Sequence, residues 1–139
     1  MVTSQFIRYR GGYKYQLANS VSILTNIRPP SDIQTEFIAL SKSGVLFIRK
    51  GYAWDGPSGP TIDTKSSMRA SLIHDALYQL MREGHLGGYY RGAADEELYR
   101  LCIEDGMWKW RAWLWRREVK KFAGFAACPS NNKEVLVAP

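Results

Sequence analysis

The stretch from Gly51 to Lys65, GYAWDGPSGPTIDTK, is where the hydrophobic period of the chain changes. Before it, apolar residues cluster in short runs rich in Val, Ile, Phe and Tyr. After it, they recur at helical spacing. Residues 13–18 (YKYQLA) and 21–27 (VSILTNI) read as strands parted by Asn19-Ser20, a turn signal. Pro29-Pro30-Ser31-Asp32 interrupts the chain again. Residues 35–40 (TEFIAL) and 45–52 (VLFIRKGY) flank Ser41-Lys42-Ser43-Gly44, which has the composition of a hairpin loop. Downstream, Ser66 or Ser67 is expected to cap a helix over about Met68 to Arg82, stopped by Gly84. A second helix is expected from about Gly92 to Glu104, closed by Asp105-Gly106, and a third from about Lys109 to Phe122, closed by Gly124. Strands first and helices later predict an α+β fold: N-terminal antiparallel β-strands followed by a three-helix C-terminal part. The expected organisation is one domain over residues 1–124 with an extended or loose tail over 125–139.

A chain of 139 residues, 45% hydrophobic and 13% aromatic, suits one modest core and is too apolar for a disordered chain. No apolar run approaches the roughly 20 residues needed to cross a bilayer. The N-terminus, MVTSQFIRYRGGYKYQL, lacks the continuous apolar core of a secretory signal, so synthesis in a cytoplasm is expected. Cys102 and Cys128 form no Cys-x-x-Cys pair and read as reduced structural thiols.

The net charge of +6 is not spread evenly. Residues 108–121, WKWRAWLWRREVKK, hold six cations against the single acid Glu118, a local +5. A near-neutral chain with one basic helix points to a local partner surface rather than to a uniformly basic protein. On that helix Trp108, Ala112, Trp115, Val119 and Phe122 are expected to be core. Trp110, Trp113, Arg117 and Lys121 form the opposite, partner-binding face. A protein is the first expected partner, nucleic acid or an anionic surface the second. The plainer alternative is that these indoles pack under the C-terminal tail.

Three polar positions carry the candidate chemistry. On the first helix Ile73, Ala76, Leu77 and Leu80 form the apolar stripe, with His74 at its edge, on the side of Tyr78, and Asp75 nearly opposite. On the second helix Ala94, Leu98, Leu101 and Cys102 form the stripe and Asp95 sits beside it. A carboxylate at an apolar edge is costly unless paired, so Asp95 is expected to meet His74. Such a pair fixes the imidazole tautomer, which serves a general base, a metal ligand or a plain structural tie. The Gly- and Pro-rich loop could present Asp55, Ser58 and Asp63 from a stiff backbone, or could simply use Asp55 and Ser58 for local turns. In the plainer reading, His74 is a hydrogen-bonded edge residue and Asp75 pairs with Arg82 or Arg69.

Four motifs in this order, GYAWDGPSGP, RASLIHDALYQLM, RGAADEELYRL and EVKKFAG, resemble a family of small phage and prophage proteins, domain-of-unknown-function family 1353. The resemblance spans about Tyr13 to Gly124 and is most specific in the His-Asp-x-x-Tyr helix with its downstream Ala-Asp. Position by position it places the family's polar signature on Asp55, Ser58, His74, Asp75 and Asp95. It implies a phage-encoded protein and carries no activity with it.

Two function classes follow as expectations. One is a hydrolase, in one version assisted by a divalent metal held by Asp55, His74 and Asp95. Asp95 would orient His74, with Asp55 as ligand or second acid–base group. A metal-free version makes Ser58 the nucleophile, although no Gly-x-Ser-x-Gly elbow surrounds it. The other is a non-catalytic virion or tail-associated adaptor that binds another phage protein through the Trp-rich basic helix.

Overall fold

The computed structural model describes residues 9–10, 15–54 and 65–117. It is an α+β fold, with antiparallel strands in two sheets followed by three helices. The strand-bearing and helix-bearing parts are two compact units, each with its own buried core.

In the first unit, β3 (Val21–Leu24), β6 (Val45–Ile48), β5 (Ile38–Leu40) and β4 (Ile33–Gln34) form one sheet in that spatial order. Its register lines up two apolar rows, Val21–Ile48–Ile38 and Ile23–Leu46–Leu40–Ile33. All of these side chains are buried, whereas Leu24 and Phe47 point outward. A slip of one residue would turn both rows to solvent, so the alternation itself sets the register. Each fully buried Leu or Ile in these rows contributes about 1.5–3 kcal/mol. The predicted hairpin loop joins β5 to β6. Gly44 adopts φ +95°, and a Cβ there would stand 2.6 Å from the Thr25 carbonyl oxygen. That crowding follows from Thr25, whose buried hydroxyl and backbone N–H both donate to the Gly44 carbonyl at 2.8 Å.

The second sheet joins β1 (Tyr9–Arg10), β2 (Tyr15–Leu17) and β7 (Ala53–Trp54). Asn19-Ser20 therefore parts strands of different sheets. The opening residues of the Gly51–Lys65 stretch belong here. Gly51 turns the chain at φ +97° and bonds the Leu17 carbonyl at 2.8 Å. Tyr52 and Trp54 are buried, the latter with its ring 5.7 Å from that of Tyr15 across the ladder.

In the second unit, α1 (Lys65–Arg82) and α2 (Arg91–Glu104) pack along each other, with a 3-10 turn (Gly88–Tyr90) between them. The helix starts earlier than its expected caps, so Ser66 and Ser67 lie in its first turn. It stops where expected. Gly84 takes φ +79°, its N–H bonds Met81 O, and His85 N–H bonds Leu80 O, which satisfies carbonyls the helix end leaves open. Gly106 closes α2 in the same way at φ +100°, with Met107 N–H on Cys102 O.

The expected single stripe on α1 is an underestimate. From Met68 to Met81 every residue except Asp75 is buried. Three of the buried polar side chains find partners close by: Arg69 on acids of the second helix's end, Ser71 on Met68 O, and Gln79 on Glu83. A helix hidden on all sides needs such satisfaction, because an unpaired buried polar group costs about as much as a lost hydrogen bond.

Candidate active site

His74 and Tyr78 stand four residues apart on α1, so they share a face. Their rings lie 4.1 Å apart between centroids. Asp95 projects from the second turn of α2 and is 1% exposed. One of its oxygens, Oδ1, receives Nε2–H of His74 at 2.9 Å and the hydroxyl of Tyr78 at 2.6 Å. These two donors offset the cost of placing a carboxylate in the interior.

The arrangement decides the tautomer. An ionised carboxylate only accepts, so Nε2 of His74 must carry the proton. In the neutral ring Nδ1 is then left as the acceptor. Nδ1 lies 3.9 Å from Oδ1 of Asp75, whose side chain is 38% exposed. Nδ1 thus faces the half-buried Asp75, while Nε2 faces the fully buried Asp95.

Burial alone would lower the His74 pKa. The hydrogen bonding and negative charge of Asp75 and Asp95 outweigh it, and the net shift is upward. Burial and the Asp95 carboxylate both push the Tyr78 hydroxyl upward, beyond the reach of physiological pH, against a small opposing effect of Arg91. Tyr78 therefore remains a donor. Chemically, the cluster can take up a proton at Nδ1 and stabilise the imidazolium that results.

His74 and Asp95 come together as the apolar-edge argument predicts, and both are more deeply buried than semi-buried: His74 is 8% exposed. Asp75 does not pair with Arg82 or Arg69. Its neighbour is His74, because Arg69 is engaged at the other end of the helix pair. That arginine is 2% exposed and grips Asp105 through Nε at 3.0 Å and Nη2 at 2.9 Å, with Glu104 2.9 Å from Nη2. So α1 is tied to α2 at two separated points. Asp55, Ser58 and Asp63 lie outside the described residues, as do Cys128 and the tail over 125–139. Cys102 is buried, its thiol pushed up to about 12 by burial and by Asp105, which suits a structural role.

For the expected divalent metal the donor set is short. Among the described residues no group of three or more His, Cys, Asp or Glu side chains is placed to hold one. Nε2 of His74 is already committed to Asp95. A metal would need Nδ1 and Asp75 together with a donor from beyond the described residues.

Of the residues expected to form a partner-binding face, Trp110, Trp113 and Arg117 lie on α3, residues 109–117. Trp110 and Trp113 are 58% and 45% exposed, with Leu114 beside them. The guanidinium of Arg117 stands over the Trp113 ring at 5.6 Å. Lys121, Val119 and Phe122 lie outside the described residues. Ala112 and Trp115 are core as expected, but Trp108 is not: it is 69% exposed. It precedes the helix and supplies the first carbonyl, accepting from Arg111 and Ala112 N–H, so its side chain does not follow the helical wheel.

The Tyr78–Asp95 hydrogen bond and the Arg69 clasp are contacts that spacing alone does not give. Tyr78 could have been picked out as the residue four positions after His74, on the same side. No known protein family, curated protein or solved structure matches the chain.

Proposed function

We propose that this is a phage-encoded hydrolase in which His74 is the general base. The single observation that carries this is the buried Asp95, which holds the ring by Nε2–H and leaves Nδ1 as the acceptor, beside the half-buried Asp75. In the reaction, Nδ1 takes a proton from water. The water oxygen bonds to the acyl carbon or phosphorus of the substrate, the bond to the leaving group breaks, and the imidazolium returns the proton to it. Asp95 stabilises the imidazolium, and Tyr78 holds Asp95 in place. Asp55 is the second acid–base group or a metal ligand in this reading. Ser58 is the nucleophile in its covalent variant. The four-motif resemblance supports a phage origin, and cell-wall material or a phosphoester fits the setting.

The test is release of product from purified peptidoglycan and from bis(p-nitrophenyl) phosphate, with and without divalent metal. The intact protein should turn over one of them, and His74→Gln should lose about 100-fold or more with an unchanged circular dichroism spectrum. No turnover of either substrate, or full activity in the variant, would contradict the proposal.

A second reading is favoured by a separate observation, the exposed indoles of α3. In it the protein is a non-catalytic adaptor on the virion or tail, made in the host cytoplasm, that binds another phage protein. The His74–Asp95 pair then serves as a tie between helices. Among the described residues no helix is long and apolar enough to cross a membrane.

A further inference from the structure

The exposure of the α3 indoles is imposed by the way the helix is fixed. Trp115 and Ala112 are buried on its inner side. Arg116 bonds both oxygens of Glu96 at 2.8 Å and lies 4.3 Å over the Tyr99 ring, which clamps α3 to α2. With that face held inward, the helical period places Lys109, Trp113, Arg117, Trp110 and Leu114 one after another around the outer arc. Residues 108–117 contain four cations and no acid. One cation, Arg116, is spent on Glu96, and among the described residues no acidic side chain pairs with Lys109, Arg111 or Arg117.

We infer that this outer face of α3 docks an acidic, partly apolar protein segment. The inference rests on the adaptor reading and names its partner's chemistry. Charge complementarity carries it: Lys109 and Arg117, which have no acidic partner among the described residues, flank and divide the exposed indoles on the outer arc, with Arg111 farther round the helix. Apposed with itself, the face would set like charges together, which disfavours a second copy of the chain. Helices that lie on membranes put cations and apolar groups on opposite sectors. Here Arg117 falls between Trp113 and Trp110. The cationic stripe is confined to a single helix, short of a nucleic-acid footprint. Trp with Arg is instead the composition of protein hot spots, and an arginine already stacked on an indole presents its fork to a carboxylate.

The test uses the full chain and fluorescein-labelled helical peptides with Leu on one face and either Glu or Lys on the other. Vesicles of phosphatidylserine and phosphatidylcholine and single-stranded oligothymidylate serve as competitors. Anisotropy should show saturable binding of the Glu peptide that weakens with salt and is not displaced by either competitor. Trp110→Ser with Trp113→Ser should raise its Kd about tenfold or more while leaving the thermal midpoint nearly unchanged. Equal, Trp-dependent binding of the Lys peptide overturns the acidic partner but leaves the adaptor reading standing. Binding that ignores the double substitution overturns both. Preference for vesicles or oligonucleotide, no binding of the Glu peptide, or unfolding of the double variant overturns the inference.

Discussion

Asp95→Ala should cost about 3–5 kcal/mol of folding stability, the usual penalty for removing one partner of a buried charged pair. The substitution strands two donors at once, Nε2–H of His74 and the Tyr78 hydroxyl, at a buried position. It should also be pH-dependent. The folded pKa of His74 is raised, so the bound proton stabilises the fold fully below the ordinary histidine value of about 6.5. That contribution is lost as pH rises through the higher folded value. The groups facing the ring are Asp75 and Tyr78 on its own helix and Asp95 on the neighbouring one. Urea titrations should therefore show a larger loss for the variant near about pH 6 than near about pH 9, where only the hydrogen bonds from the uncharged ring and Tyr78 to the carboxylate are at stake. An equal loss at both would mean that Asp95 does not hold a charged ring.

Arg69→Met is the second large effect, at about 3 kcal/mol, the low end of the same range. The methionine keeps the apolar stem and removes the guanidinium, leaving the Asp105 carboxylate, 15% exposed, without its two-point partner. Glu104 adds little, since its side chain is 43% exposed and solvent screens that half of the clasp. Thermal unfolding should show the drop. A variant as stable as the parent would mean the clasp is replaceable by packing alone, as some buried ion pairs are.

The helix ends were legible because they depend on local backbone needs. Gly84 and Gly106 sit at positive φ where a chain leaving a helix requires it, and Ser41–Gly44 closes a hairpin for the same kind of reason. The pairing of His74 with Asp95 was legible too, from the cost of a carboxylate at an apolar edge. What was hidden depends on three dimensions. Two-residue strands such as Ile33–Gln34 and Ala53–Trp54 are too short to show a period. Nothing in Asn19-Ser20 says that the flanking strands enter different sheets. Nothing in the residue types Arg69, Ser71 and Gln79 says that each is buried and bonded. Helical spacing put Tyr78 beside His74, but the shared acceptor on Asp95 depends on where the second helix crosses. Trp108 was misplaced because the wheel takes it as helical, whereas the helix begins one residue after it.

The most direct measurement is a long-range proton–nitrogen NMR titration of His74. If Asp95 anchors the ring, the neutral form carries its proton on Nε2, the titrating proton leaves Nδ1, and the midpoint lies above about 6.5, the ordinary histidine value. A neutral ring protonated at Nδ1, or a midpoint below that value, would contradict the account of His74 as a general base held by Asp95.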